Sequence, residues 1–141
     1  MKKAWIVLEH VADTMDVMRF SVHDTLPQSG DSVVYYCQFS DSEAAMMHIH
    51  NLLKRSLVDL DQHSYAATVV ESLAAIKAIE LHRSDEWVNP SINEHVIDEM
   101  NKRLSDIRQK SEKQKFYLKI VQAAAILLLI GVILLGSGLF N

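Results

Sequence analysis

The sequence predicts an α+β fold: a small N-terminal sheet of three strands with two helices, followed by a long stalk helix that continues into a single C-terminal transmembrane helix. Three observations predict it. Residues 4–39 are rich in β-branched and aromatic side chains, residues 40–81 place apolar side chains at helical spacing, and residues 120–140 carry no charge. We therefore divide the chain into a head, residues 1–90, a basic stalk, residues 91–119, and a span, residues 120–140.

Three strands are expected in the head. Residues 4–11, AWIVLEHV, are branched and apolar, and residues 16–23 alternate between apolar and polar side chains, as a half-buried strand does. Residues 33–39, VVYYCQF, give the strongest strand pattern of the chain. The turn residues PQSGD at 27–31 lie between the last two strands, so we expect those two strands to pair as an antiparallel hairpin.

Two helices should follow the strands. Ser40 and Glu43 have the spacing of a capping box, in which each residue bonds to the backbone of the other. Apolar residues then continue at helical spacing as far as Leu60. A second apolar stripe runs from Tyr65 to about Leu81, and it predicts a second helix that packs on the same sheet.

A much longer helix is expected after the segment HRSDEWVNP. Trp87 lies in this acidic linker, where we expect it to be exposed and available to a partner. Ser91 and Glu94 repeat the capping-box spacing directly after Pro90. Beyond Ser91 only the glycines of the final apolar run interrupt the helical pattern, so stalk and span are expected to form one continuous helix.

The final apolar run is expected to cross a membrane. Residues 120–140 contain only Gln122 and Ser137 as polar side chains. About 20 apolar residues are enough to cross a hydrocarbon core of about 30 Å. The alternative, a buried core helix, would keep a polar face in so small a domain, whereas this run is apolar on all sides.

The charges before this run predict its orientation. Residues 1–100 hold 7 Lys and Arg against 16 Asp and Glu, whereas residues 101–119 hold 7 against 2. By the positive-inside rule the head is cytoplasmic and the C-terminus lies across the cell (inner) membrane, as in a tail-anchored single-pass protein. Four cations directly precede the span and are expected at the membrane surface: Lys110, Lys113, Lys115 and Lys119.

An apolar seam leads from the head towards the span. Its residues are spaced alternately by three and four positions, which is typical of a coiled coil and predicts that the stalk self-associates. The pattern leaves open the alternative that these residues pack against the head. The seam consists of Ile97, Met100, Leu104, Ile107 and Leu118, with the polar residues Ser111 and Gln114 in the same register.

The head shows no catalytic or metal-binding motif of useful specificity. His48 and His50 would lie on opposite faces of a helix, about 200° apart. His95 shares a helix face with Asp98 or Glu99, but a metal site there would need further ligands from other helices. Cys37 lies within an expected strand, where a thiol is buried and unreactive. We therefore expect no catalytic residue, no metal site and no cofactor.

The function expected from these features is non-enzymatic binding of a protein partner at a membrane. The net charge of −9 over residues 1–100 disfavours nucleic acid and favours a partner with a basic surface. The protein would be a subunit or adaptor of a membrane complex, in contact with membrane lipid and able to form homo-oligomers through stalk and span.

Two other functions stay open. One is a membrane-permeabilising effector, holin-like or of the abortive-infection type, whose head senses a signal and whose transmembrane helices oligomerise. The span has no polar stripe to line a pore, which argues against this function. The other is a membrane-tethered enzyme whose catalytic residues are dispersed along the head.

Overall fold

The computed structural model describes residues 2–11 and 16–138, and it describes the side chains of the final helix as far as Leu134. It confirms the α+β class, with a six-stranded antiparallel sheet, shorter helices in the head and a long C-terminal helix. The chain divides into two compact units, Met1–Ser105 and Asp106–Asn141.

The sheet of the head is larger than the sequence predicts. The three expected strands are present, and three further strands extend the sheet at its two edges, giving the order β4-β5-β2-β1-β3-β6. The elements are β1 (Ala4–His10), β2 (Met18–His23), β3 (Val33–Phe39), α1 (Ser42–Leu53), a 3₁₀ turn (Lys54–Ser56), β4 (Leu57–Asp59), β5 (Ser64–Tyr65), α2 (Val69–Lys77), β6 (Arg83–Val88) and α3 (Glu94–Gly138).

Strand β1 lies at the centre of the sheet, between β2 and β3. Trp5, for example, is opposite His23 of β2 on one side and Gln38 of β3 on the other. The expectation that β2 and β3 pair with each other as a hairpin is therefore wrong. The five residues Ala4–Leu8 are all buried, which suits a strand that is covered on both faces and paired at both edges.

The core lies between one face of the sheet and helices α1 and α2. Tyr35 lies on this face, and the Nζ atom of Lys77 in α2 is 5.2 Å from the centroid of its ring. Tyr65 lies on the same face, with its hydroxyl 3.3 Å from Nδ1 of His50 in α1. Removal of this apolar surface from water is the main stabilisation of the head. The fully buried side chains include Ile6, Leu8, Met18, Phe20, Cys37, Phe39, Ile49 and Ile76.

Helix α1 differs from its expected boundaries at both ends. Its N-cap is Asp41, whose side chain accepts a hydrogen bond from the backbone N–H of Ala44 at 3.1 Å, so the predicted Ser40–Glu43 capping box is wrong. The helix ends at Leu53 rather than near Leu60, because the chain turns into the edge strand β4. The apolar residues of that strand matched helical spacing only by coincidence.

Helix α2 forms only the middle of the apolar stripe that predicted it. The preceding residues Ser64–Tyr65 form strand β5 instead. The helix begins with a capping box: Thr68 Oγ1 accepts from the N–H of Glu71 at 3.2 Å, and Glu71 Oε2 accepts from the N–H of Thr68 at 3.1 Å. These two bonds satisfy donors that the first turn of the helix leaves unpaired.

The segment expected to be an acidic linker forms the edge strand β6. It pairs with β3, and the ring of Trp87 stacks on that of Tyr36 with a centroid distance of 5.0 Å. Trp87 therefore lies in a strand and is only partly exposed, contrary to expectation. The charged side chains of β6 give this segment the sequence pattern of a loop. Such charges are common on edge strands because they prevent pairing with other chains.

Helix α3 begins at Glu94 and not at Ser91. The side chain of Asn93 accepts from the N–H of Val96 at 3.0 Å, as an N-cap does. Ser91 belongs to the preceding turn, where its N–H donates to Asn89 Oδ1 at 2.9 Å, so the predicted Ser91–Glu94 capping box is wrong. From its start the helix continues without interruption to Gly138, as expected.

Candidate membrane-spanning helix

The C-terminal part of α3 presents apolar side chains to its surroundings on every side. The exposed fraction ranges from 46% at Ile130 to 72% at Leu128. None of the residues in the most apolar stretch of the helix is buried within the described part of the chain. A core helix would have most of these side chains covered. The helix is long and apolar enough to cross a membrane.

The composition of residues 120–140 gives the favourable part of the free energy of insertion, if this segment crosses a membrane. Residues 120–140 contain thirteen Leu, Ile, Val and Phe residues. Each contributes about −0.3 to −0.6 kcal/mol at the centre of a membrane helix, which gives roughly −4 to −8 kcal/mol for the set. The helix also pairs its own backbone N–H and C=O groups, which a bilayer requires because it offers no water to bond them.

Four exposed lysines surround α3 just before the apolar part, and we name them the lysine collar: Lys110, Lys113, Lys115 and Lys119. At about 100° per residue, the first two lie within about 60° of each other and the last two lie within about 40°, on the opposite side of the helix. Lys115 Nζ also forms an ion pair with Glu112 at 3.2 Å. A helix lying flat on a membrane would carry its cations on one face. Cations on both sides suit a helix that crosses the headgroup layer.

Two exposed aromatic residues lie within the collar. Phe116 is 63% exposed and Tyr117 is 67% exposed, and both lie between Lys115 and Lys119. Aromatic rings concentrate at the two interfaces of membrane proteins, where an apolar ring with a polar edge is best accommodated. These residues were not among the expected site residues, although the sequence KFYLK carries the signal.

The seam residues have different environments. Met100 is 8% exposed within the first compact unit, so this residue packs against the head. Arg103 Nη2 lies 3.8 Å from Glu71 Oε1, which brings the first turns of α3 to the start of α2. Self-association through the remaining seam residues stays a prediction. Of these, Leu104 and Ile107 are partly buried, and Ile97 and Leu118 are exposed by 40% and 62%.

The histidines of the head do not assemble into a metal centre in the part of the chain that the structure describes. Within residues 2–11 and 16–138, no three His, Cys, Asp or Glu side chains are placed to hold one ion. His48 is exposed, whereas His50 contacts the Tyr65 hydroxyl. His95 lies 4.0 Å from Glu99 on the surface of α3.

Cys37 is buried, as expected, and its side chain interacts with that of Tyr35. Burial raises the pKa of the Cys37 thiol, and burial also raises the pKa of the Tyr35 hydroxyl. Burial lowers the pKa of Lys77, whose ammonium forms an ion pair with Glu86. A thiol held in its protonated form is a poor nucleophile, so the surroundings of Cys37 do not favour a reactive cysteine.

Comparison of the chain with protein-family models, with curated proteins and with solved structures finds no match.

Proposed function

We propose that the protein is a single-pass membrane protein whose head binds a protein partner, as a non-enzymatic subunit or adaptor of a membrane complex. The observation that carries the proposal is the exposure of α3: its apolar residues from Ile120 to Leu134 are uncovered on all sides, directly after the lysine collar. In water this surface would drive aggregation, whereas in lipid it lowers the free energy of the chain.

The proposed orientation places the head on the cytoplasmic side of the cell (inner) membrane. The lysine collar supports it, because cytoplasmic flanks of membrane helices carry an excess of Lys and Arg. Phe116 and Tyr117 support the same level for the interface, since they lie within the collar, directly before the uncharged part of the helix.

Charge supports a partner with a basic surface. Three of the head's few cations are engaged in ion pairs, namely Lys2 with Asp24, Arg19 with Glu9, and Lys77 with Glu86. The remaining acidic side chains then dominate the surface potential, which accelerates encounter with a basic partner and disfavours an acidic one.

Cysteine labelling tests the topology. In spheroplasts that express Asn141→Cys, a membrane-impermeant maleimide should label the protein from outside. The matched variant Ser29→Cys, in an exposed turn of the head, should react only after lysis. Cys37 is buried and should remain unlabelled in both. The reverse pattern of labelling contradicts the proposed orientation.

Purification of the full chain in mild detergent tests partner binding. A protein held by the acidic head should be retained at low ionic strength and released as salt is raised. It should be absent when α3 alone is fused to an unrelated soluble domain. Rapid collapse of the membrane potential on induced expression would instead indicate a permeabilising effector and would contradict the adaptor function.

A further inference from the structure

The head carries a second surface with membrane-binding chemistry, at the sheet edge formed by β4. Residues 44–58 contain no Asp or Glu, although residues 1–100 hold 16 of them. This stretch runs from α1 through the 3₁₀ turn into β4. We name its exposed C-terminal part the basic-apolar edge, which consists of Leu52, Lys54, Arg55, Leu57 and Val58.

The basic-apolar edge combines uncovered apolar side chains with free cations. Leu52, Leu57 and Val58 are exposed by 43%, 38% and 58%. Lys54 and Arg55 lie exposed in the 3₁₀ turn between them, and within residues 2–11 and 16–138 no ion pair engages either. Both components of a surface that binds anionic lipid are therefore present within seven residues.

The backbone at this edge is also open. Strand β4 pairs only with β5, so its other side has no strand beside it in the described part of the chain. The strand itself carries no cation and no proline, the usual means of protecting an edge. Asp59 is its one acidic residue, and Oδ1 of Asp59 accepts the N–H groups of Asp61 and Gln62 in the following turn. The strand is three residues long, which itself limits pairing with other chains.

We propose that the basic-apolar edge docks on the anionic surface of the bilayer that α3 crosses. This inference rests on the proposed membrane anchoring. Leu and Val side chains enter the boundary between headgroups and acyl chains, and Lys54 and Arg55 bind lipid phosphates. The rest of the head is acidic and is repelled by an anionic leaflet, so this edge is the part of the head that binds such a leaflet. Anchoring by α3 keeps the head at a high effective concentration near the lipid, which lets a weak contact be occupied.

An environment-sensitive fluorophore on Val58→Cys tests the docking in the full chain. The protein is reconstituted at one copy per nanodisc, in discs of phosphatidylcholine alone or with phosphatidylglycerol. The fluorophore should enter an apolar environment in the anionic discs and remain in water in the neutral ones. The substitutions Lys54→Gln and Arg55→Gln together should lower the equilibrium constant for docking by about 30-fold, because each cation near an anionic leaflet contributes about fivefold. The matched control, Lys2→Gln with Lys3→Gln, makes the same change in charge elsewhere and should leave docking unchanged.

Two further labels separate the possible failures. A fluorophore on Leu128→Cys should be in lipid in both kinds of disc, and if it is in water the proposed anchoring itself is wrong. If Leu128 is in lipid while the Val58 label stays in water in anionic discs, the docking proposal is overturned and the anchoring stands. Equal burial of the Val58 label in neutral discs also overturns the docking proposal. Burial that appears only with two copies per disc overturns it as well, and would indicate pairing between two β4 edges.

Discussion

Replacing Leu127 and Ile130 by arginine tests the assignment of α3 as a membrane span. Both side chains lie near the middle of the apolar part and are exposed by 69% and 46%. An arginine at the centre of a membrane helix costs about 2.5 to 3.5 kcal/mol, and each lost apolar side chain removes a further 0.3 to 0.6 kcal/mol. The pair of substitutions therefore costs about 6 to 8 kcal/mol. This cost is as large as most of the range of roughly −4 to −8 kcal/mol available for insertion, so the span should insert far less stably.

Extraction of membranes with alkaline carbonate measures this effect. The unmodified chain should remain in the membrane pellet, and the double arginine variant should be released. The matched control is Leu127→Ala with Ile130→Ala, which loses only about 1 kcal/mol of insertion free energy and should stay in the pellet. Both positions lie in the second compact unit, so thermal unfolding of the head should be the same in all three proteins.

Two results would refute this reasoning. If the arginine pair stays in the pellet as completely as the alanine pair, the apolar residues of α3 are not in contact with lipid. If carbonate releases the unmodified chain, these residues are covered by another protein and not by the bilayer. In either case the lysine collar loses its interpretation as a marker of the membrane surface.

Three other predictions concern the head and the start of α3. Thr68→Ala should lower the free energy of unfolding by about 0.5 to 2 kcal/mol in urea titrations, because it removes the capping box of α2, and Thr68→Ser should retain most of that stability. Burial raises the pKa of the Cys37 thiol from its usual 9.0, so above about pH 9 the unfolded chain loses a proton that the folded chain keeps. Stability should therefore fall as pH rises through 9, and Cys37→Ala should make that fall shallower in pH-dependent unfolding; an unchanged slope would contradict this origin. Met100→Ala should cost about 2 to 5 kcal/mol because the side chain is buried, whereas Leu118→Ala should leave head stability unchanged; equal effects would place both residues in one environment.

The strands of the head show which part of a sheet can be predicted from sequence. Local composition located β1, β2 and β3, because branched and aromatic residues favour extended backbone. Pairing was predicted wrongly, since it depends on contacts between distant residues. The sequence does contain the correcting signal: Ala4–Leu8 are apolar without alternation, which is typical of a strand covered on both faces, and such a strand belongs at the centre.

The strands at the two edges could not be found by the same means. Strand β6 reads as a charged loop, and it is held by pairing with β3 and by the stacking of Trp87 on Tyr36. Strands β4 and β5 contain three and two residues, which is too short for any period to be visible. The helix caps failed for a different reason: Asp41 and Asn93 are N-cap residues as good as the neighbouring serines, and only the backbone geometry chooses between them.

The long apolar helix at the C-terminus was predictable from the sequence because its requirements are local. A helix in lipid satisfies its backbone within itself, and the solvent around it demands apolar side chains on every side, so composition alone specifies it. The head has the opposite character, since its edge strands are set by pairing between residues that are distant in the sequence.

The region around the lysine collar and the basic-apolar edge share one chemistry, and binding of both to the membrane would orient the head towards a partner. The lysine collar with Phe116 and Tyr117, and the basic-apolar edge with Lys54 and Arg55, each combine cations with exposed apolar groups. Attachment through α3 alone leaves the head free to rotate about the membrane normal and to tilt. If both proposals hold, a second attachment through the edge removes most of that freedom before any partner arrives. A partner with a basic surface then meets an oriented head, and the entropy lost on binding is correspondingly smaller.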